Sequence, residues 1–475
     1  MPLELKEIIV VEEKGSLYIN RNFYDREFKT PVESMLDLSA YSLIDPNQSQ
    51  KEGLRYSQSF LAFRHIRLKI CYFFLHASYG SSNFLSLFFS IVFQLPKPLI
   101  GILLSVSPFA GLISSPFWSI IADRHDAHRK IMISCTTCVV FVYLSLPFTG
   151  QYFGFGGLFI NLAIYSLFDG GVLPLLDNLT MNVLNRKGDS TEYGRQRLFG
   201  TISYGIFIAT IGFLIDRFNS LYVMFFAFGF SMGLFLLVLY SIPERDFKID
   251  HHDELITDNI DLDQIGSTSN ETLTQIVDSN DMVTEPPSFM KAILKLITKP
   301  RLLLFLFVFL STRTAKLSTS TFLYVFLSED LKADATLMGL STFVGVTLEI
   351  LVFYYGKNIL DFTFPEVIMI GGGLFTTLRA SLYAFFGTRL EYGLVKPASL
   401  EIVLQQSPPK LRGTALGILA ATEYLSTALG QIVGGILYGH FGSVKMFLYS
   451  AWIGILAIII YIVGLSMQKK RFYLY

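Results

Sequence analysis

Apolar and polar positions along this chain fall into long blocks, not short alternations. Runs rich in Leu, Ile, Val and Phe occupy 69–93, 98–121, 131–149, 155–183, 198–215 and 220–241, and a second series occupies 302–327, 337–356, 365–386, 388–407, 412–438 and 445–467. Most are about twenty residues long, which at ~1.5 Å rise per residue matches a hydrocarbon layer ~30 Å thick. Within such a layer the backbone must satisfy its own N–H and C=O groups, so each run is expected to be an α-helix. The run at 388–407 is the most polar, carrying Arg389, Glu391, Lys396 and Glu401, and is expected to face protein or water instead of lipid. The pattern predicts an all-α polytopic membrane protein with twelve transmembrane helices in two six-helix bundles, at 67–241 and 301–467.

The polar segments frame these bundles. Residues 1–66 are mixed in charge with little helical periodicity and read as an N-terminal tail with room for a short amphipathic piece. The opening Met1 to Gly15 lacks the basic start, apolar centre and small-residue cleavage site of a secretory leader, so the first span is expected to direct insertion. Residues 242–300 turn acidic, with Asp250, Asp253, Glu254, Asp258, Asp261 and Asp263, and predict a solvated, disordered linker. Residues 468–475 form a short basic tail.

Lys and Arg gather at alternate span ends: Arg64, Arg67 and Lys69 before the first, Arg124, Arg129 and Lys130 after the second, Arg186, Lys187, Arg195 and Arg197 after the fourth, and Lys469, Lys470 and Arg471 after the last. The opposite loops carry little beyond Lys97, Arg217, Lys332 and Arg389. Such asymmetry predicts that both termini and the linker are cytosolic, in the plasma membrane or an endomembrane. The sequons at Asn47 and Asn270 then lie on the side where glycosylation does not occur, and that at Asn178 lies inside or beside a span. Tyr41-Ser-Leu-Ile44 has the shape of a tyrosine-based sorting signal, a four-residue pattern that arises readily by chance.

Composition narrows the function classes. Of 475 residues 52% are hydrophobic, 16% charged and 44 are Phe, too apolar a balance for a water-soluble core of ordinary polarity. A net charge of zero gives no general attraction for nucleic acid, which leaves the lipid bilayer and a small-molecule solute as expected partners. Cys71, Cys135 and Cys138 all fall within predicted spans and cannot make a disulfide framework. Cys135-Thr-Thr-Cys138 has zinc-like spacing but no second pair, so no metal or other cofactor is expected. No nucleotide-phosphate loop occurs, and His125, His128, His251, His252 and His440 make no convergent catalytic set, so the chain is not expected to be an enzyme.

Specific loops carry more. After the second span the chain reads Pro116-Phe-Trp-Ser-Ile-Ile-Ala-Asp-Arg-His-Asp-Ala-His-Arg-Lys130. This resembles the signature loop of the major facilitator superfamily, Gly-x-x-x-Asp-Arg/Lys-x-Gly-Arg-Arg/Lys. Asp123 and Arg124 match, while Ser119 and Asp126 replace the glycines. Leu176-Asp-Asn-Leu with Tyr193-Gly-Arg-Gln-Arg-Leu-Phe-Gly-Thr201, and Pro408-Pro-Lys-Leu-Arg-Gly-Thr-Ala415 with Gly430, Gly434, Gly435 and Gly439, resemble the lactose-permease-like and nucleoside-proton-symporter-like branch. The resemblance covers residues 67 to 467 without the linker. It implies the major facilitator fold and transport by alternating access.

In that setting Asp123, Arg124, Arg129 and Lys130 are candidates for a conformational latch, because a carboxylate at a helix end can meet basic groups or a helix N-terminus and release them when the bundles rock. Arg197 and Arg412, at matching places at the start of spans 5 and 11, are candidates for equivalent contacts. The Gly430/Gly434 and Gly435/Gly439 spacings suit close helix approach, and Gly371-Gly-Gly373 weakens span 9.

Ionisable residues inside spans are the clearest candidates for a solute or proton pathway, since a charge at mid-bilayer costs at least about 2.5 kcal/mol. They are Arg313 and Lys316 in span 7, Glu349 in span 8, Arg379 in span 9, Asp169 and Asp177 in span 4, and Glu423 in span 11, with His76 in span 1. Glu349 leads as proton site, because a carboxylate in an apolar cavity beside a movable cation can load and release a proton. The Glu349 and Arg379 positions resemble ones the related branch carries, whereas Arg313 and Lys316 depart from it. The expected function is secondary active transport of a small polar solute, with protons the candidate coupling ion. The competing reading is a membrane receptor or scaffold that keeps the fold without transporting.

Overall fold

The computed structural model describes residues 10–13, 16–19, 65–186, 193–243, 247, 298–362, 364–386, 395–407 and 411–472. The side chains of Glu349 and Arg379 lie outside the described residues, as do Tyr41, Asn47, Asn270, Lys187 and nearly all of the linker. Two units are distinguished, Met1–Arg64 and His65–Tyr475. In the first, β1 (Val10–Glu13) and β2 (Ser16–Ile19) pair antiparallel, with Val10 opposite Ile19 and Glu13 opposite Ser16. Sequence periodicity missed this hairpin because each strand is only four residues long. Its signals are the β-forming Val-Val and Tyr-x-type pairs flanking Lys14-Gly15.

The second unit is helical. Its elements are α1 (Ile66–Ser82), α2 (Leu85–Ile91), α3 (Lys97–His125), α4 (His128–Arg186), α5 (Tyr193–Phe218), α6 (Val223–Ser241), α7 (Pro300–Glu329), α8 (Ala335–Phe362), α9 (Pro365–Phe386), α10 (Val395–Gln406), α11 (Arg412–Phe441) and α12 (Ser443–Phe472). Among the described residues seven helices are long and apolar enough to cross a membrane, one of them the double-length α4. Three prolines sit where their missing N–H costs nothing, Pro98 opening α3, Pro300 opening α7 and Pro365 opening α9, whereas Pro108 and Pro116 lie inside α3 and Pro147 and Pro174 inside α4.

Four expectations shift in detail. The first span is broken between α1 and α2, where Asn83 Nδ2 donates to the Tyr79 and Gly80 carbonyls at 3.4 and 3.3 Å. The third and fourth spans share α4, which is interrupted at Gly154 with φ 58° and ψ −147°, a backbone conformation open to glycine. There the chain doubles back, so that Asn161 donates to the Ser145 hydroxyl at 2.8 Å and the Tyr143 and Tyr165 rings approach to 5.4 Å. The polar tenth span is a helix of only 12 residues, Val395–Gln406. The last helix also runs to Phe472, past the expected end of its span.

The rods alternate in direction, which defines two ends. The connections α2–α3, α5–α6, α7–α8 and α11–α12 mark a hairpin end. The other end holds the starts of α1 and α7 and is called here the termini end. α6 shows how lipid and protein share one rod: Phe228, Met232, Phe235 and Leu239 are buried, while Phe226, Phe230, Leu237 and Tyr240 are exposed on the opposite face. A helix apolar all round is what a lipid-facing position requires.

The core is not symmetric between the two ends. One buried apolar cluster fills the first half and continues into the second through Phe322, Tyr324, Val325, Phe326, Met338, Tyr438, Met446 and Phe447, all toward the hairpin end. A separate cluster, with Leu302, Phe305, Phe309, Ile402, Leu419 and Tyr461, fills the second half toward the termini end. The halves therefore share one core at the hairpin end and hold separate cores toward the other.

Candidate functional site

Two helix pairs make the main joins between the halves, α3 with α11 and α5 with α8, and α2 adds a smaller contact with α7. Glycine makes both approaches possible. A Cβ on Gly101 of α3 would stand 2.4 Å from the Gln431 carbonyl oxygen, and one on Gly435 of α11 would stand 2.6 Å from that of Lys97. At the other pair, a Cβ on Gly212 would stand 2.3 Å from the Ala335 carbonyl oxygen and one on Gly339 would stand 2.5 Å from that of Ile208.

Polar contacts reinforce the closure at the hairpin end. Asp216, near the end of α5, accepts from the backbone N–H groups of Ala335 at 2.9 Å and Thr336 at 2.6 Å, and from the Thr336 hydroxyl. A carboxylate is unfavourable at the end of its own helix, but here it caps the N-terminus of α8 in the opposite half. Lys97 at the start of α3 pairs with Glu329 at the end of α7 at 2.5 Å, with Ser90 hydrogen-bonded to both. The Tyr438 hydroxyl donates to Asp330 at 2.9 Å. Asp216→Ala removes the trans cap, an effect of about 1 kcal/mol at this exposed position. The expected result is a several-fold gain in alkylation of a cysteine introduced at Met338, which is buried at this end, and unchanged reactivity would show that the cap does not hold this end shut.

At the opposite end the proposed latch residues make contacts within their own half. Asp123 accepts from His128 Nε2 at 2.9 Å, and Arg129 donates to the Tyr240 carbonyl at 2.9 Å while its guanidinium lies over the Tyr240 and Phe247 rings. Arg124, Lys130 and Arg412 are exposed. Arg197 reaches Asp177 of α4 at 3.6 Å and the Tyr193 hydroxyl at 3.0 Å. Tyr72 of α1 completes that cluster, donating to Asp177 at 2.5 Å. His76 lies one turn beyond, its Nδ1 3.1 Å from the Tyr72 carbonyl oxygen, against Gly200 of α5, where a Cβ would stand 2.6 Å from the ring.

A second group lies deeper. Counted at ~1.5 Å per residue from the helix starts or ends at the termini end, Tyr79, Arg313, Glu423 and Tyr424 all lie about 17–20 Å in, and Asp169 about 25 Å. Asp169 accepts from the Tyr79 hydroxyl at 3.3 Å. Tyr165 and Tyr424 are close enough to act on it electrostatically, and Tyr424 of α11 abuts Gly111 of α3. Across from them Arg313 and Glu423 face each other at 3.7 Å, each about one quarter exposed, with Arg313 also over the Phe309 ring at 5.5 Å. Of the expected pathway residues, the structure brings together Arg313 with Glu423, and Asp177 with His76. Lys316 lies one turn from Arg313 on α7.

Asp169 with Tyr79 of the first half, and Arg313, Glu423 and Tyr424 of the second, thus stand about 17–25 Å in, beneath a shared lid and above separated cores. A model of the MFS_1-like family matches residues 65–449, most of the chain. The chain belongs to the MFS_1-like family. It is a membrane transporter of the major facilitator superfamily. Among curated relatives, an uncharacterized transporter, YwbF of Bacillus subtilis (strain 168), is 23% identical over 406 residues, spanning 81% of this chain and 89% of the relative. Among solved structures, the nucleoside transporter NupG aligns with a TM-score of 0.66 at 16% identity, covering 84% of this chain and 98% of that one. The inward open conformation of the xylose transporter XylE from E. coli aligns with a TM-score of 0.56 at 13% identity, over 85% and 95%. These likenesses establish the major facilitator fold in this family member.

Sequence reasoning missed Tyr72, Tyr79, Tyr424 and the whole hairpin-end lid. The tyrosines are common in apolar spans and carry no charge to single them out. Asp216 did leave a signal, since an acid in the last turn of a helix opposes the helix dipole unless something outside that helix needs it.

Proposed function

We propose that this transporter moves a small polar solute across the membrane by alternating access, with both termini and the acidic linker in the cytosol and protons as the coupling ion. The observation that carries the proposal is the asymmetry of the core: the halves share buried apolar residues only toward the hairpin end, while Asp169, Arg313 and Glu423 stand at mid-depth on the side where the cores are separate. In this arrangement the state described is open to the cytosol and closed outside. Breaking the Asp216 and Lys97 contacts opens the other side.

Glu349 of α8 serves as the proton site in this proposal, on the rod that packs against α5. The basis is chemical: a single carboxylate within an apolar span can exchange a proton as its surroundings change between the two states. The test is uptake into liposomes by purified protein, using labelled uridine, xylose and a dipeptide under an imposed proton gradient. Glu349→Gln is expected to lose gradient-driven accumulation while keeping solute exchange. Gradient-driven accumulation equal to the unsubstituted protein removes Glu349 from this role, and absence of flux with retained solute binding favours the receptor reading.

A further inference from the structure

α4 carries two carboxylates eight residues apart, treated in opposite ways. Asp177 is neutralised within its own half by Arg197 at 3.6 Å and receives the short Tyr72 hydrogen bond. Asp169 has no ion pair among the described residues; the Tyr79 hydroxyl donates to it over a long 3.3 Å, and the Tyr165 hydroxyl is its other neighbour. A carboxylate normally draws a hydroxyl donor to about 2.5–2.7 Å and has about four acceptor sites, so the geometry at Asp169 leaves acceptor capacity unused. Arg313 of the second half is paired with Glu423 and stacked over Phe309 instead.

What surrounds Asp169 is aromatic. Tyr79 of α1 and Tyr165 of α4 itself turn their hydroxyls to Asp169, and Tyr424 of α11, in the opposite half, stands within electrostatic reach of it. Close backbone packing fixes the site on its remaining side, where Cβ atoms on Gly170 and Gly171 would strike Ser114 and Trp118 of α3. A carboxylate flanked by tyrosine rings favours a cation in two ways, by charge and by the negative faces of the rings.

We propose that Asp169 is the subsite for a positively charged ammonium group on the transported solute, with Tyr79 and Tyr424 as its aromatic walls. This deepens the carrier reading and rests on it. Tyr424 belongs to the opposite half from Asp169, so an ammonium held between them ties the two halves together at mid-depth and is released as α3 and α11 separate.

The probes are matched in shape and differ in charge: 2-phenylethylamine and its neutral analogue 2-phenylethanol. Binding is read on the purified full chain by thermal shift and by displacement of labelled amine, and uptake is read in liposomes beside uridine and xylose. The amine is expected to bind and the alcohol to bind about tenfold or more weakly, in line with loss of a hydrogen-bonded charge partner. Asp169→Asn, which keeps the acceptor for Tyr79, is expected to remove that preference, whereas Tyr79→Leu, which removes the ring, weakens amine binding with Asp169 intact. Equal binding of amine and alcohol overturns the proposal, as does undiminished amine binding by Asp169→Asn. Loss of only the gradient dependence of uptake in Asp169→Asn also overturns it, by assigning the group to protons. If Asp169→Asn fails to fold, the amine-to-alcohol comparison on the unsubstituted protein still decides. Flux of uridine or xylose without amine recognition refutes the subsite and leaves the carrier reading standing, while no flux of any solute refutes the carrier reading separately.

Discussion

Gly101→Leu is expected to hold the protein out of the conformation described here and to cut uptake by about 10- to 100-fold. Already the first atom of any side chain at 101 would stand 2.4 Å from the Gln431 carbonyl oxygen, and the next obstacle is the Gly435 backbone at 3.2 Å. Both are main-chain atoms of α11 and cannot swing aside as a side chain can. Overpacking of this kind typically costs about 1–3 kcal/mol, and more where the backbone must yield. A state in which α3 and α11 separate at the hairpin end escapes that cost, so the equilibrium moves toward it. The check is a spin-label distance between Phe218→Cys and Leu331→Cys in a background lacking Cys71, Cys135 and Cys138. Gly101→Leu is expected to lengthen the dominant distance, and Gly212→Val, which meets the Ala335 carbonyl, to do the same from the other helix pair. Distances unchanged in both variants refute the role of glycine packing in closing this end.

The second large effect concerns Asp177 and Arg197. Arg197→Met is expected to destabilise the folded chain by about 2–4 kcal/mol, because it strands a partly buried carboxylate among apolar helices. The pair lies at 3.6 Å with side-chain exposures of 39% for Arg197 and 26% for Asp177, so water offsets part of the loss but not all of it. Asp177→Asn in the Arg197→Met background is expected to restore most of the lost stability, since no charge is then left unpaired. Thermal unfolding of the four proteins in one detergent closes the cycle. If the double substitution is as unstable as the sum of the singles, the two residues are not energetically coupled.

The element order was legible because hydrocarbon imposes one length and one secondary structure on each span. α6 and α9 begin and end within a few residues of the expected runs for that reason. The break in the first span was overlooked although Gly80-Ser81-Ser82-Asn83 marks it, because the apolar runs on either side together have the length of a single span. Charge identified Asp169, Asp177, Arg313 and Glu423 as residues needing an explanation. It did not reveal which would pair, because pairing depends on helix rotation, and the apolar stripes of these rods are too uniform to fix that from sequence. Arg197 illustrates the limit: its place at the head of α5 suggested an interhelical contact without revealing Asp177 of α4 as the partner.

The joints between rods have a mechanical consequence. Only Gly442, with φ 81° and ψ 172°, separates α11 from α12, and only Asp126 and Ala127 separate α3 from α4. Joints this short transmit torque almost without slack. A tilt of α3 against α11 drags α12 and the first rod of α4 with it, while Asp169, beyond the reversal at Gly154, is moved by the packing of Gly170 and Gly171 against Ser114 and Trp118 of α3. A few glycines inserted at either joint then loosen the rods they connect and leave that direct packing as the link between the lid and Asp169.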